Sequence, residues 1–209
     1  MNRTVSSLLA VVTSIALSAS PAAAETHAAG SPAALVREVT THLVAAARAN
    51  PDFVAGDVEA IATVVDDVVL PAVDFPAATR SAVGPRWREA SPAQRQRLQE
   101  AFERLLVRFY ANGIRQIREY DIQVTETLAI PNRPDQVIVR SRVTGNGEVH
   151  TMDYRLTRRG DTWKVIDVSV EGIWITLSYR SQFAGALARG GIEELIRVLE
   201  APARAGQGA

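Results

Sequence analysis

One residue stands out as a possible reactive group. Asp167 sits within Trp163-Lys164-Val165-Ile166-Asp167-Val168, and regular strand alternation puts it on the side of Trp163 and Val165. A carboxylate in apolar surroundings has a raised pKa and can serve as a general base. The same residue type also caps helices and accepts from N–H groups at a sheet edge. No second reactive residue accompanies Asp167 at a meaningful spacing. There is no G-x-S-x-G, no G-x-x-x-x-G-K-[ST] and no H-E-x-x-H. His27, His42 and His150 are scattered, with no metal-ligand spacing. With no cysteine, the chain has no thiol nucleophile, disulfide or thiolate metal site. This inventory indicates a protein that is not an enzyme and has no metal or cofactor; an enzyme with Asp167 as base is the alternative.

The apolar residues are more informative. Ser91-Pro92-Ala93-Gln94 combines a serine cap, proline at the first helical position and glutamine three residues after the cap. The helix it opens is expected to run to about Ile117. At 100° per residue, Leu98, Phe102, Leu105, Leu106, Phe109, Gly113 and Ile117 share one face. Arg97, Arg104, Arg108 and Arg115 gather on the other. Such a basic stripe is either a solvated face, partly neutralised by Glu100 and Glu103, or a docking surface for acidic partners and anionic membrane.

Around this helix the chain reads as helices, strands, then helices. Ser31-Pro32 starts a helix that Asn50-Pro51 stops, and further helices are expected over residues 57–70 and 74–83. From Tyr120 the period changes to 2. Tyr120, Ile122, Val124, Leu128 and Ile130 alternate with polar neighbours, then Val137, Val139 and Val143 up to the hairpin signal Gly145-Asn146-Gly147. His150, Met152, Tyr154 and Leu156 share one side of the next strand, Arg159-Gly160-Asp161 turns it, and residues 163–170 form the last. Helix resumes over 174–188 and, after Gly190-Gly191, over 192–199. The fold class is α+β: a curled antiparallel sheet of about four strands with helices packed against one face. That arrangement either fills its core or encloses an apolar cavity.

The first 24 residues are set apart from this domain. Arg3, an apolar run from Leu8 to Leu17 and Ala22-Ala23-Ala24 have the order of a secretory signal peptide, and the run is far shorter than the roughly 20 residues of a membrane span. Cleavage after Ala24 would leave a mature domain over residues 25–200 and a disordered tail over 201–209. The whole chain has 23 basic and 23 acidic side chains, so loss of Arg3 leaves 22 against 23, a formal charge of −1. Nothing here favours nucleic acid.

Ordered blocks in this sequence resemble the MlaC family, also called toluene-tolerance auxiliary proteins. The first is Leu70-Pro71-Ala72-Val73-Asp74-Phe75, Gly84-Pro85-Arg86-Trp87 and Ser91-Pro92-Ala93-Gln94-Arg95. The second is Trp163-Lys164-Val165-Ile166-Asp167-Val168, Val170-Glu171-Gly172-Ile173 and Tyr179-Arg180-Ser181-Gln182-Phe183, closing on Gly191-Ile192-Glu193-Glu194-Leu195-Ile196. Trp174 departs from the small residue usual after the Glu-Gly pair. The resemblance implies a periplasmic phospholipid-binding protein with an acyl-chain cavity. It implies carriage of lipid between an outer-membrane lipoprotein complex and an inner-membrane MCE-domain protein of an ABC transporter, with transient membrane contact. A hopanoid-associated branch leaves another lipid, or a non-catalytic adaptor role, as alternatives. On this reading Phe102, Leu106, Phe109, Met152, Tyr154 and Val168 are expected to line the cavity, with Trp174 and Phe183 near its entrance.

Overall fold

The computed structural model describes residues 30–201; the expected signal segment, its cleavage site and nearly all of the expected tail lie outside them. Six α-helices and five strands follow one another as α1 Pro32–Ala49, α2 Pro51–Ala55, α3 Val58–Val64, α4 Phe75–Val83, α5 Pro92–Gln116, β1 Asp121–Ile130, β2 Arg133–Gly145, β3 Glu148–Arg159, β4 Thr162–Val170, β5 Ile173–Trp174 and α6 Ile175–Glu200.

The capping residues read from the sequence act as caps. Ser31 Oγ accepts from Ala34 N–H, and Ser91 and Gln94 form a reciprocal capping box. Asp74 caps α4 by accepting from Ala77 N–H. The helix expected over 57–70 is shorter: α3 widens into a π-helical turn over Val65–Val69, and a 3₁₀ turn, Leu70–Ala72, carries the chain to the sheet. α6 consists of two helical segments that meet at a kink at Gly190-Gly191, where Gly191 takes φ 66°, ψ −150°, a conformation open to glycine alone.

The strands form one antiparallel sheet in the order β1-β2-β3-β4-β5. The fifth strand exceeds the expected four. After the Glu171-Gly172 turn, Ile173 and Trp174 pair back on Val170 and Ser169, a hairpin arm too short to show a period. Between β2 and β3, Asn146 and Gly147 both take positive φ, as a tight hairpin requires.

One register feature overturns an expectation. Val165 pairs with Leu156 while Asp167 pairs with Arg155, so Ile166 is the extra residue of a β-bulge. The bulge reverses alternation, and Asp167 lies on the face opposite Val165 and Trp163. The first face carries Val137, Val139, Leu156 and Val165, packed against Ala33 and Val36 of α1. The second carries Ile138, Arg155, Thr157 and Asp167, flanked by α4 and the start of α6, so helices meet the sheet on both faces rather than one. Two further apolar clusters are helix against helix. One joins α4, α5 and α6 around Leu98, Phe102, Tyr179, Phe183 and Leu195; the other joins α1, α2, α3 and α5 around Leu43, Phe53 and Ile61.

Candidate functional site

The eight residues expected to line or border a cavity occupy three places. Phe102 and Phe183 are almost fully buried in the helical cluster. Phe102 meets Tyr179 and Phe183 edge-on, with centroids 5.0 and 5.5 Å away. Leu106 is half-buried against the same cluster, whereas Phe109, one heptad beyond Phe102, is 64% exposed and touches Tyr110 edge-on. Met152, Tyr154 and Val168 share the first sheet face, with Tyr154 paired to Val168. Trp174 stands apart, on the opposite side of the sheet, under the Arg155 guanidinium at 4.2 Å.

Partly buried apolar and phenolic residues flank two of the packed clusters. Burial pushes the Tyr154 phenol above its usual range, and the half-buried side chain packs against the cluster on the first sheet face. Its hydroxyl donates to Met152 Sδ at 3.9 Å and also meets the fully buried Ser141 hydroxyl. On the helical side, burial together with the neighbouring Tyr110 phenol pushes Tyr179 up to about 12. Leu105, Leu106, Tyr110 and Ile175 are each half-buried around it. These surfaces offer apolar contact and phenolic hydroxyls, which suits acyl chains.

Asp167 is fully engaged. It is 6% exposed; Oδ1 accepts from Val168 and Thr176 N–H, and Oδ2 accepts from the Thr176 hydroxyl at 2.7 Å. Trp174, which precedes α6, offers no capping side chain. The Asp167 carboxylate supplies that cap from the sheet. Of the two roles open to this residue in the sequence, capping is the one its contacts display.

The four arginines of the α5 stripe are not equivalent. Arg97 is drawn into ion pairs with Glu200 at 2.8 Å and Glu193 at 3.4 Å, tying α5 to the last turns of α6. Arg108 Nε donates to the carbonyl of Arg104, and Arg115 lies against Gly56.

A different basic feature was not visible in the sequence. On the second sheet face an open trough of about 680 Å³ runs between the strands, α4 and the start of α6. Arg80, Arg133, Arg155, Arg159 and Arg180 line it with Trp174 and Asp167, and a second depression of about 550 Å³ continues it past Arg80 and Arg180 to Trp87 and Arg88. These arginines come from α4, β2, β3 and α6, so no linear spacing announces them. Among the described residues no helix is long and apolar enough to cross a membrane, and no group of histidines and carboxylates could hold a metal.

The relatives of this chain agree with the resemblance. Toluene tolerance protein ttg2D of Pseudomonas putida is 34% identical over 168 residues, covering 79% of this chain and 77% of that protein. The intermembrane phospholipid transport system binding protein MlaC of Haemophilus influenzae is 24% identical over 173 residues, 81% of each. The solved structure of a phospholipid-binding protein from Ralstonia solanacearum, in complex with a phospholipid, superposes with a TM-score of 0.75. It is 32% identical, covering 80% of this chain and 93% of that one. The family described as MlaC protein matches residues 37–201, four-fifths of the chain, and the chain belongs to that family.

Proposed function

We propose that the mature chain is a periplasmic phospholipid carrier. Its cargo passes between an outer-membrane lipoprotein complex and an inner-membrane MCE-domain protein coupled to an ABC transporter, maintaining outer-membrane lipid asymmetry. The observation that carries this reading is the match in fold and sequence to the Ralstonia solanacearum protein, which holds a phospholipid.

The physical case is independent of that likeness. A diacyl lipid carries roughly 30 methylenes at about 0.8 kcal/mol each, so crossing water unaided costs on the order of 24 kcal/mol. A carrier lowers that barrier by enclosing the tails and leaving the head in solvent. It needs apolar surface held open inside a fold, not a reactive group. Met152, Tyr154 and Val168 on the sheet, with Leu106 on α5, are the residues we assign to the tails. Phe102 and Phe183 support the helical wall from behind, and Phe109 lies at the exposed border. Energy for directional transport comes from the partner.

The test is extraction of the purified protein with organic solvent and mass spectrometry of the extract. A phospholipid in near-stoichiometric amount is expected, while a hopanoid would redirect the cargo and a lipid-free protein would refute the carrier. The same sample tests export. Intact mass should correspond to a chain starting at Glu25, and retention of residues 1–24 would refute cleavage after Ala24.

A further inference from the structure

We propose that the arginine-lined trough on the second sheet face is a docking groove for an acidic, extended segment of a partner protein. This rests on the carrier reading only in that a carrier must dock and leave; the geometry is independent of it.

Charge comes first. The chain as a whole has equal numbers of basic and acidic side chains, yet the trough gathers five arginines against two acids, Asp135 and Asp167. Asp167 is occupied as the α6 cap. Three of the arginines are held in place. Arg159 pairs with Asp74 at 2.6 Å, Arg180 donates from Nε and Nη2 to the Ser81 carbonyl, and Arg155 lies on the Trp174 ring, 3.9 Å from Asp167. Arg155 Nε makes no hydrogen bond. The other two, Arg80 and Arg133, are exposed and pair with no carboxylate among the described residues. Three guanidiniums held in advance beside two free ones suit successive carboxylates, because a planar fork held in advance loses less freedom on binding.

Shape and apolar lining choose among anionic partners. The trough is open along one side and prolonged by its neighbour, whereas sites for small molecules enclose most of their ligand. Ile130, Ile138, Ile166 and Leu177 lie between the arginines, so the occupant carries aliphatic side chains beside its acids. An extended acidic and aliphatic peptide can lie along such a trough with its carboxylates toward the arginines and its aliphatic side chains toward the isoleucines, since successive side chains point to opposite sides.

The experiment uses the mature protein and a fluorescein-labelled peptide of alternating glutamate and leucine, followed by anisotropy at low and high salt. Binding that weakens with salt is expected. The double variant Arg80→Glu, Arg133→Glu should lose at least about tenfold in affinity, as charge reversal in a complementary contact does. The control Arg104→Glu, Arg108→Glu, on the exposed side of α5, should bind as the wild type does. Peptide that fails to bind the wild type, binds the trough variant equally well, or is lost equally in the control overturns the proposal. So does a trough variant that keeps the peptide but loses flotation with phosphatidylglycerol vesicles, which would make the trough a membrane contact. Bound lipid measured by extraction should be unchanged in both variants; its absence from the wild type would defeat the carrier reading without touching this one.

Discussion

Replacing Asp167 by Ala should destabilise the domain more than any other substitution on its sheet face, and the amount follows from its contacts. The change removes the acceptor for the Thr176 N–H and for its hydroxyl, both buried, the latter bonded at 2.7 Å. A hydrogen bond to a charged group contributes about 1.5–3 kcal/mol, and orphaning a buried donor costs about 1–3 kcal/mol. Loss of a helix cap alone costs about 1 kcal/mol. These overlap, because the cap is one of the bonds, and the expected total is about 3–5 kcal/mol. The Arg155 contact at 3.9 Å adds little, being partly exposed. Asp167→Asn keeps an acceptor for the two N–H groups and can donate to the hydroxyl, so it should cost less than about 1.5 kcal/mol. Urea unfolding followed by far-ultraviolet circular dichroism gives the differences at constant slope. The decisive quantity is the coupling in a cycle of Asp167→Ala, Thr176→Val and the double variant. A coupling of about 1.5–3 kcal/mol is expected from the charged hydrogen bond. Additive single effects would show that the Thr176 hydroxyl does not bind Asp167, and the hydroxyl part of the account would fail.

Other consequences are open to the same methods. Phe102→Ala, in the middle of an aromatic cluster of Phe75, Tyr179 and Phe183, should cost about 3–5 kcal/mol, and a loss below about 1 kcal/mol would remove it from the core. Leu106→Trp should lower lipid occupancy in a folded protein at an overpacking cost of roughly 1–3 kcal/mol; unchanged occupancy would exclude Leu106 from the tail site. Glu103 is raised by burial and then by the adjacent Asp66, so its ionised form opposes folding at neutral pH and the penalty lifts as pH falls through the raised pKa. Glu103→Gln should therefore raise stability at pH 7 and not in acid, and an equal gain at both would contradict the assignment. Glu200 is lowered by the hydrogen bond from Arg97, so its contribution is present above the unfolded carboxylate range and lost as pH falls through its lowered pKa. Arg97→Gln should flatten the acid limb of the stability curve, and an unaltered limb would deny the pair that role.

The parts of the fold that could be read from sequence are those fixed by neighbours in the chain. Ser91-Pro92-Ala93-Gln94 specifies a cap by local hydrogen bonds, and Asn146-Gly147 specifies a hairpin by its tolerance of positive φ. The shift from a period of 3.6 to 2 at Tyr120 is likewise local. What could not be read depends on partners distant in sequence. The bulge at Ile166 exists only in the register of β4 on β3, and it sends Asp167 to the face opposite the one alternation assigns. A helical wheel gives Phe109 the same direction as Phe102 but not how far the neighbouring helix extends. Tyr179, in the first turns of α6, is already beside Phe102, and α6 begins at Ile175, so Phe109 lies beyond its cover.

The basic surface shows the same limit in electrostatic form. Four arginines on one helix make a pattern that spacing can reveal, and α5 has that pattern. Position on a helix does not say which charges are spent, and Arg97 is spent on Glu193 and Glu200. The trough is the reverse case. Arg80, Arg133, Arg155, Arg159 and Arg180 span a hundred residues and belong to four elements. The sheet brings Arg155 and Arg159 to one face through regular alternation, α4, capped by Asp74, contributes Arg80, and α6, whose start Asp167 caps, contributes Arg180. The aspartate that looked like a candidate base is therefore a positioning residue for the basic face. Its connection to function runs through the helix it holds, and loss of the cap should weaken peptide binding in the trough along with stability.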